Sequence, residues 1–202
     1  MDNPDEEPER KDEDYSHEDF ADVVYRNWRF IRCQFLSASF KEADLGGCSF
    51  EDCDFSGAQL NAATLMRCSF TNCRFVGASF FVAQLIECRF LGADFTTADL
   101  GGITVTACDF SFANFRNQKL KKFDLHDMKL EGADFYAADL TEANLKKADL
   151  TGANLTDAIL KKADLRGATL DKIDFRTVTL DKTKLDMIQA VYVARCYGAE
   201  VV

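Results

Sequence analysis

Eight cysteines, two histidines and a surplus of aspartate are the residue types in this 202-residue chain that are equipped for chemistry. Cys48 and Cys53, like Cys68 and Cys73, stand five apart, which invites comparison with a pair of metal ligands. A zinc site, however, needs donors that converge on one point. His17 lies in an acidic stretch, and neither it nor His126 has a Cys or Ser placed as a nucleophile beside a base. The aspartates that precede a Leu or Phe are candidates for acid and base work. What any of these groups can do depends on the elements that hold them.

Those elements are set by a period of five. Every fifth residue from Phe20 to Leu185 is Phe, Leu, Tyr or Val, 34 in succession without insertion. The residue two before each is mostly small, as at Ala133, Ala138, Ala143 and Ala148, and the residue just before is often Asp or Asn. Five fits neither the 3.6 of a helix nor the 2.0 of a continuous strand. It fits a short extended segment followed by a corner, with the central apolar residue and the small one pointing inward. Stacked turns of this kind form an all-β solenoid.

The cysteines count the sides of a coil. Cys33, Cys53 and Cys73 are 20 apart, as are Cys48, Cys68, Cys88 and Cys108, and spacings of 20 outnumber spacings of 15. Phe repeats the result at Phe30, Phe50, Phe70, Phe90 and Phe110, and from Phe35 to Phe135. Four sides per coil give about eight and a half coils, roughly 40 Å at the usual strand separation. Such a core is filled by rings and branched aliphatics and leaves no enzyme pocket. No catalytic, cofactor or metal residues are therefore assigned. Seven cysteines are structural thiols, since neighbours five apart lie on different walls and ladder neighbours lack the twisted geometry of a disulfide. Cys196 lies outside the array and is the one candidate reactive thiol. Corner Asp and Asn are read as acceptors for nearby backbone groups.

Residues 1–19 hold ten acids and two bases and are read as an acidic N-terminal tail of disordered composition. With no apolar core there, no signal peptide is expected, and no run approaches the roughly 18 apolar residues of a membrane span. A cytoplasmic protein with reduced thiols is the expectation. The formal charge of −10 argues against direct nucleic-acid binding through a basic face. It divides into −8 for residues 1–19 and −2 for residues 20–202, with 24 acids against 22 bases in the latter. The most acidic side carries Asp54, Asp94, Asp134, Asp157 and Asp174, and with Arg74, Arg116 and Arg176 it sums to only −2. Val76, Phe81, Ile86 and Leu91 form an outward apolar belt, one residue per side, and are a candidate partner surface. The inward position takes Ile103, Gln118, Phe123 and Met128 in turn, so those coils are expected to widen or shift.

After residues 20–185, residues 186–202 form a C-terminal module. Asp186 and Gln189 make a capping box that starts a helix over 187–197, with Met187, Ala190, Val191, Ala194 and Tyr197 on one stripe and Gly198 as its C-cap. A short apolar tail containing Val201 follows. Such an end either caps its own coils or pairs with a second copy through a two-fold contact.

The repeat from Phe20 to Leu185 resembles the pentapeptide repeat family, pattern A(D/N)LXX, which implies a right-handed quadrilateral β-helix. Phe175 to Leu180, then Leu185-Asp-Met-Ile-Gln-Ala190-Val, then Tyr197 to Val202 resemble the end of the Qnr and MfpA group within it. That resemblance implies a cytosolic homodimer joined through Met187 to Val202 that mimics DNA, binds DNA gyrase and in some members topoisomerase IV, and protects it from quinolones or related poisons. The loops that project from Qnr proteins are absent here, as in MfpA, because the phase is never broken. The competing expectation is a pentapeptide-repeat scaffold for an unrelated protein partner.

Overall fold

A computed structural model describes residues 8–201, which build two compact units, one ending at Cys108 and the other beginning at Asp109. Nine three-residue strands occupy the first unit: β1 (Glu9–Lys11), β2 (Val24–Arg26), β3 (Arg29–Ile31), β4 (Asp44–Gly46), β5 (Ser49–Glu51), β6 (Thr64–Met66), β7 (Ser69–Thr71), β8 (Gln84–Ile86) and β9 (Thr104–Thr106). They form two parallel sheets, β1-β3-β5-β7 and β2-β4-β6-β8-β9, in which each residue pairs with the one 20 further on, as in Phe50 with Phe70. The two remaining walls are held by single bridges, through Asp14, Gln34, Asp54, Arg74 and Asp94 and through Asp19, Ser39, Gln59, Ser79 and Asp99. The result is a quadrilateral β-helix. Because the register is 20, like residues sit over like. Phe50, Phe70 and Phe90 stack at 4.8 and 5.0 Å with their planes within 4° of parallel, and meet Phe55, Phe75 and Phe95 edge-on.

The first coil begins before the point where the apolar period becomes regular. Glu9–Lys11 pairs with Arg29–Ile31, Asp14 bridges Gln34, and Tyr15 stacks on Phe35 at 5.3 Å. Residues 9–19 are thus part of the β-helix, and the tail read over 1–19 is corrected accordingly; residues 1–7 lie outside the described residues. The apolar pattern hides this coil because its central positions begin with Arg10. The guanidinium of that arginine lies 5.1 Å from the Trp28 ring.

Corners repeat every five residues. From Asp12 to Lys182 each fifth residue has positive φ, Thr177 excepted. Most corners are closed by a hydrogen bond from the amide two residues before the next central position, as from Ala58 to the Phe55 carbonyl at 2.9 Å, the bond of a type II turn. Corners that follow the three-residue strands differ. Among the described residues none of those at Leu45–Cys48, Phe50–Cys53, Leu65–Cys68 and Leu85–Cys88 carries this bond. There the parallel ladder takes the carbonyl instead, as the pairing of Leu45 with Leu65 and of Gly46 with Met66 requires, and the cysteine of the next coil adds a second, weak donor: Cys68 Sγ lies 3.3 Å from the Leu45 carbonyl, Cys73 3.5 Å from Phe50 and Cys88 3.2 Å from Leu65. Burial pushes the Cys33 and Cys73 thiols above the ordinary range, so the donor proton stays in place. Cys68→Ala is expected to cost about 1 kcal/mol or less, because the Leu45 carbonyl keeps its ladder amide and only a weak second donor and one buried sulfur are lost, and Cys68→Ser to cost no less. Chemical denaturation of the two variants measures both.

The second unit has four walls of its own, held by single bridges, for example Asn114 to Asp134 to Asn154 and Asp124 to Asn144 to Asp164. Closed corners run from Ala113 through Ala168, and closing a corner takes up residues that would otherwise extend a strand. Regular strands therefore make five rungs, all in the first unit, fewer than the coils the repeat predicts. Within the second unit the register is kept around Gln118, Phe123 and Met128: Lys119 bridges Asp139, and Phe123 closes its corner on Leu120 at 3.2 Å. Gln118 and Met128 are buried while Phe123 turns to a half-buried position.

A single turn of 3₁₀ helix at Phe175–Thr177, capped by Asp174, replaces the missing left-handed corner. Helix α1 (Met187–Cys196) then folds over the last coil. The capping box is formed: Asp186 accepts from the Gln189 amide, and the Gln189 side chain accepts from the Asp186 amide, each at 3.0 Å. Gly198, at φ +83, bends the chain out of the helix while its amide bonds Arg195 at 2.9 Å.

Candidate partner-binding surface

The acidic side expected from sequence consists of carboxylates already in use. Asp54, Asp94, Asp134 and Asp174 all precede a central Phe, and each accepts from the amide two residues on, at 2.9 to 3.0 Å. This is the short-range acceptor geometry that makes Asp and Asn favourable at turns. Asp54 and Asp94 also take the hydroxyls of Ser56 and Thr96. Arginines neutralise three of the four: Arg74 lies 3.6 Å from Asp54, Arg116 2.9 Å from Asp134 and Arg176 2.6 Å from Asp174. The Arg176 side chain beside Asp174 brings its carboxyl down to about 2. Asp157 is apart from these, exposed at a left-handed corner. Within the first unit Asp54 and Asp94 share a wall through Arg74, and within the second Asp134 shares one with Asn114 and Asn154.

Asp164, in sequence one of several acids interleaved with lysine pairs, is set apart by the structure. It is buried, bound by Arg166 through Nε at 2.9 Å and Nη2 at 2.7 Å, and approached by Lys146 and Lys184. The Arg166 bonds hold its carboxyl down near 2. A depressed carboxyl stabilises the fold above its unfolded pKa of about 4 and loses that contribution as pH falls through 2. The stability gap between the wild type and Asp164→Asn is therefore expected to be full at pH 7 and to close between about pH 4 and 2, as followed by urea unfolding across that range.

Charge is distributed unevenly along the chain. Residues 1–108 hold 19 acids and 9 bases, while residues 109–202 hold 15 of each, so the whole excess of −10 belongs to the first stretch.

The apolar belt is uneven too. Phe81 is 50% exposed and Leu91 42%, but Val76 and Ile86 are half-buried. Beside Phe81, Val82 is exposed at φ 54, a conformation that β-branched residues rarely adopt. Phe81 and Val82 rest on Gly101 and Gly102 of the next coil, where an added Cβ would stand 3.3 and 3.0 Å from their side chains. The belt is better described as an apolar corner on a glycine shelf, with Leu91 on a separate wall.

At the C-terminus, Gln189 turns inward and is buried, donating to the Leu165 carbonyl at 2.5 Å and the Ala168 carbonyl at 2.8 Å. Tyr192 and Tyr197 hydroxyls donate to Ile173 and Phe175. Of these carbonyls, those of Ala168 and Ile173 stand where earlier coils accept from the next one, while Leu165 and Phe175 also accept the amides of their own corners, from Ala168 and Val178. Facing away are Met187, 81% exposed, with Ala190, Val191, Ala194 and Val201 exposed or half-buried, and Tyr197 stays exposed although its hydroxyl reaches Phe175. Ile188, at 84%, is the most exposed apolar side chain of the helix and was missed by a stripe phased on Met187. Its signal is the offset i, i+3 partner Val191.

No group of three or more His, Cys, Asp or Glu among the described residues is placed to hold a metal ion, and no helix among them is long and apolar enough to cross a membrane. The fold and its surfaces define a pentapeptide-repeat β-helix closed at one end by a helix. The chain belongs to the pentapeptide repeat family: the model of the pentapeptide repeat region matches residues 25–85 and 78–155, and that of pentapeptide repeats matches 138–176 and 158–188. Among solved structures it is similar to full-length QnrB1, a plasmid-mediated fluoroquinolone resistance protein, at 25% identity and a TM-score of 0.79 over 95% of this chain and all of that one. Two trypsin-treated variants of QnrB1 match at 27% and 26% identity, each with a TM-score of 0.70 and over 96% of this chain, covering 98% and 99% of their own lengths. No curated protein sequence matches the chain.

Proposed function

We propose that this protein is a non-enzymatic, cytoplasmic partner of a type II topoisomerase, DNA gyrase, and protects it from fluoroquinolone-class poisons. The observation that carries the proposal is the similarity to QnrB1 along the full length of both chains, joined to the C-terminal resemblance to the Qnr and MfpA group. In the proposed complex two copies pair through Met187, Ile188, Val191 and Tyr197. The corner acids that hold turns or bind arginine are unavailable as free phosphate mimics, so mimicry rests on the acidic excess of residues 1–108. A gyrase supercoiling assay with and without a fluoroquinolone tests this. Restored supercoiling in the presence of drug is the expected result; neither inhibition nor protection at micromolar protein overturns it.

A second reading, a scaffold for another protein, is favoured by the corner at Phe81 and Val82, where an exposed apolar pair is kept although Val82 stands at positive φ. The double variant Phe81→Ser, Val82→Asn is expected to raise the melting temperature, since Asn tolerates positive φ. Under this reading it also abolishes partner capture while leaving gyrase protection intact.

A further inference from the structure

The buried thiols form two columns that neither proposal uses, Cys48, Cys68, Cys88 and Cys108 on one wall and Cys33, Cys53 and Cys73 on the next. All remain thiols rather than disulfides. The thiols repeat each other's setting coil by coil: Cys68 Sγ donates to Leu45 and Met66, and Cys88 Sγ to Leu65 and Ile86, at 3.2 to 3.6 Å. Identical settings one coil apart place successive sulfurs one strand spacing apart, about 4.8 Å. The neighbouring rings of Phe50, Phe70 and Phe90 stack at 4.8 and 5.0 Å. A metal–thiolate bond is about 2.3 Å, so a cation centred between two sulfurs in line needs them about 4.6 Å apart.

From this match we propose that stacked pairs of cysteines in these columns form two-coordinate sites for a soft, thiophilic cation of the Cu(I), Ag(I) and Hg(II) class. Each pair supplies two sulfurs on one line, too few for the tetrahedral set of zinc and of the wrong donor type for calcium or magnesium. The walls are Phe70, Phe75 and Phe90, all buried, so an uncharged complex is favoured. With a divalent cation the balance is neutral: two thiols each release a proton to solvent, two sulfur–metal bonds form, and the thiol bonds to the Leu and Phe carbonyls are given up. Four sulfurs in one column make two pairs and three in the other make one, so the full complement is three cations.

The test uses the full chain with Cys196→Ala, which removes the partly exposed thiol, and Hg(II) as the probe. Native mass spectrometry is expected to show three Hg(II) bound with loss of six protons, and the melting temperature to rise with added metal, since the ligand binds the folded state. Adding Cys53→Ala and Cys68→Ala, with the alanine that other corners carry at this place, is expected to cut uptake from three to one. A melting temperature that falls with Hg(II), meaning capture by the unfolded chain, overturns the proposal. So does uptake that is unchanged by the two substitutions.

Discussion

Replacing Phe70 with alanine is expected to destabilise the protein by about 3–5 kcal/mol, the range for a large aromatic deleted from a packed core. Phe70 is fully buried and touches four rings: Phe50 and Phe90 stacked below and above, Phe55 and Phe75 edge-on. The space it leaves is held open by the walls. Ser69 and Thr71 on either side are paired in register with β5, and Ser69 also bridges Arg89, so the backbone cannot close in on the void. Phe70→Leu, which other central positions use, is expected to recover more than half of the loss. Urea unfolding followed by circular dichroism measures both. A cost for the alanine variant below about 1 kcal/mol would show that the coils relax independently and that the stacked rings are not the cooperative core.

Introducing aspartate at both Ile188 and Val191 is expected to give a protein that sediments as a monomer at micromolar concentration while melting close to the wild type. Under the proposed two-fold pairing, each substituted side chain faces its own copy or a near neighbour across the axis. Like charges brought together without water there cost several kcal/mol, enough to raise the dissociation constant by more than a hundredfold. The fold itself is spared because the bonds that dock α1 are made by other residues: the Asp186 and Gln189 box, the Gln189 amide on Leu165 and Ala168, and the tyrosine hydroxyls. A variant that remains dimeric in sedimentation would place the contact between copies elsewhere and remove the C-terminal module from the proposal. One that loses its fold would show that α1 packs through Ile188 and Val191, against their exposed and half-buried positions here.

Much of the architecture was legible because a β-helix writes its geometry into the chain at fixed intervals. The period of five placed the corners, and the left-handed residues fall every fifth position. The cysteine and phenylalanine ladders gave four walls, and the pairing of Phe50 with Phe70 repeats that interval. The Asp186 and Gln189 signature gave the start of α1 to the residue. The first coil was not legible, since Arg10 occupies a central position and only its place under Trp28 shows why a charged side chain is tolerated there.

For the surfaces the balance was reversed. The sequence alone determined which residues point in and which point out, because direction follows from position within five. It also determined the acidic excess of the first 108 residues and the apolar character of the C-terminal end. Only the tertiary structure decided which acids are free, because the partners of Asp54 and Asp134, Arg74 and Arg116, lie 20 and 18 residues away and arrive through stacking. It also decided which corners close on their own amides and which give their carbonyl to the next coil, with a thiol as a second, weak donor. A hydrogen bond across 23 residues depends on coil register, a property of the assembled wall that no local pattern carries.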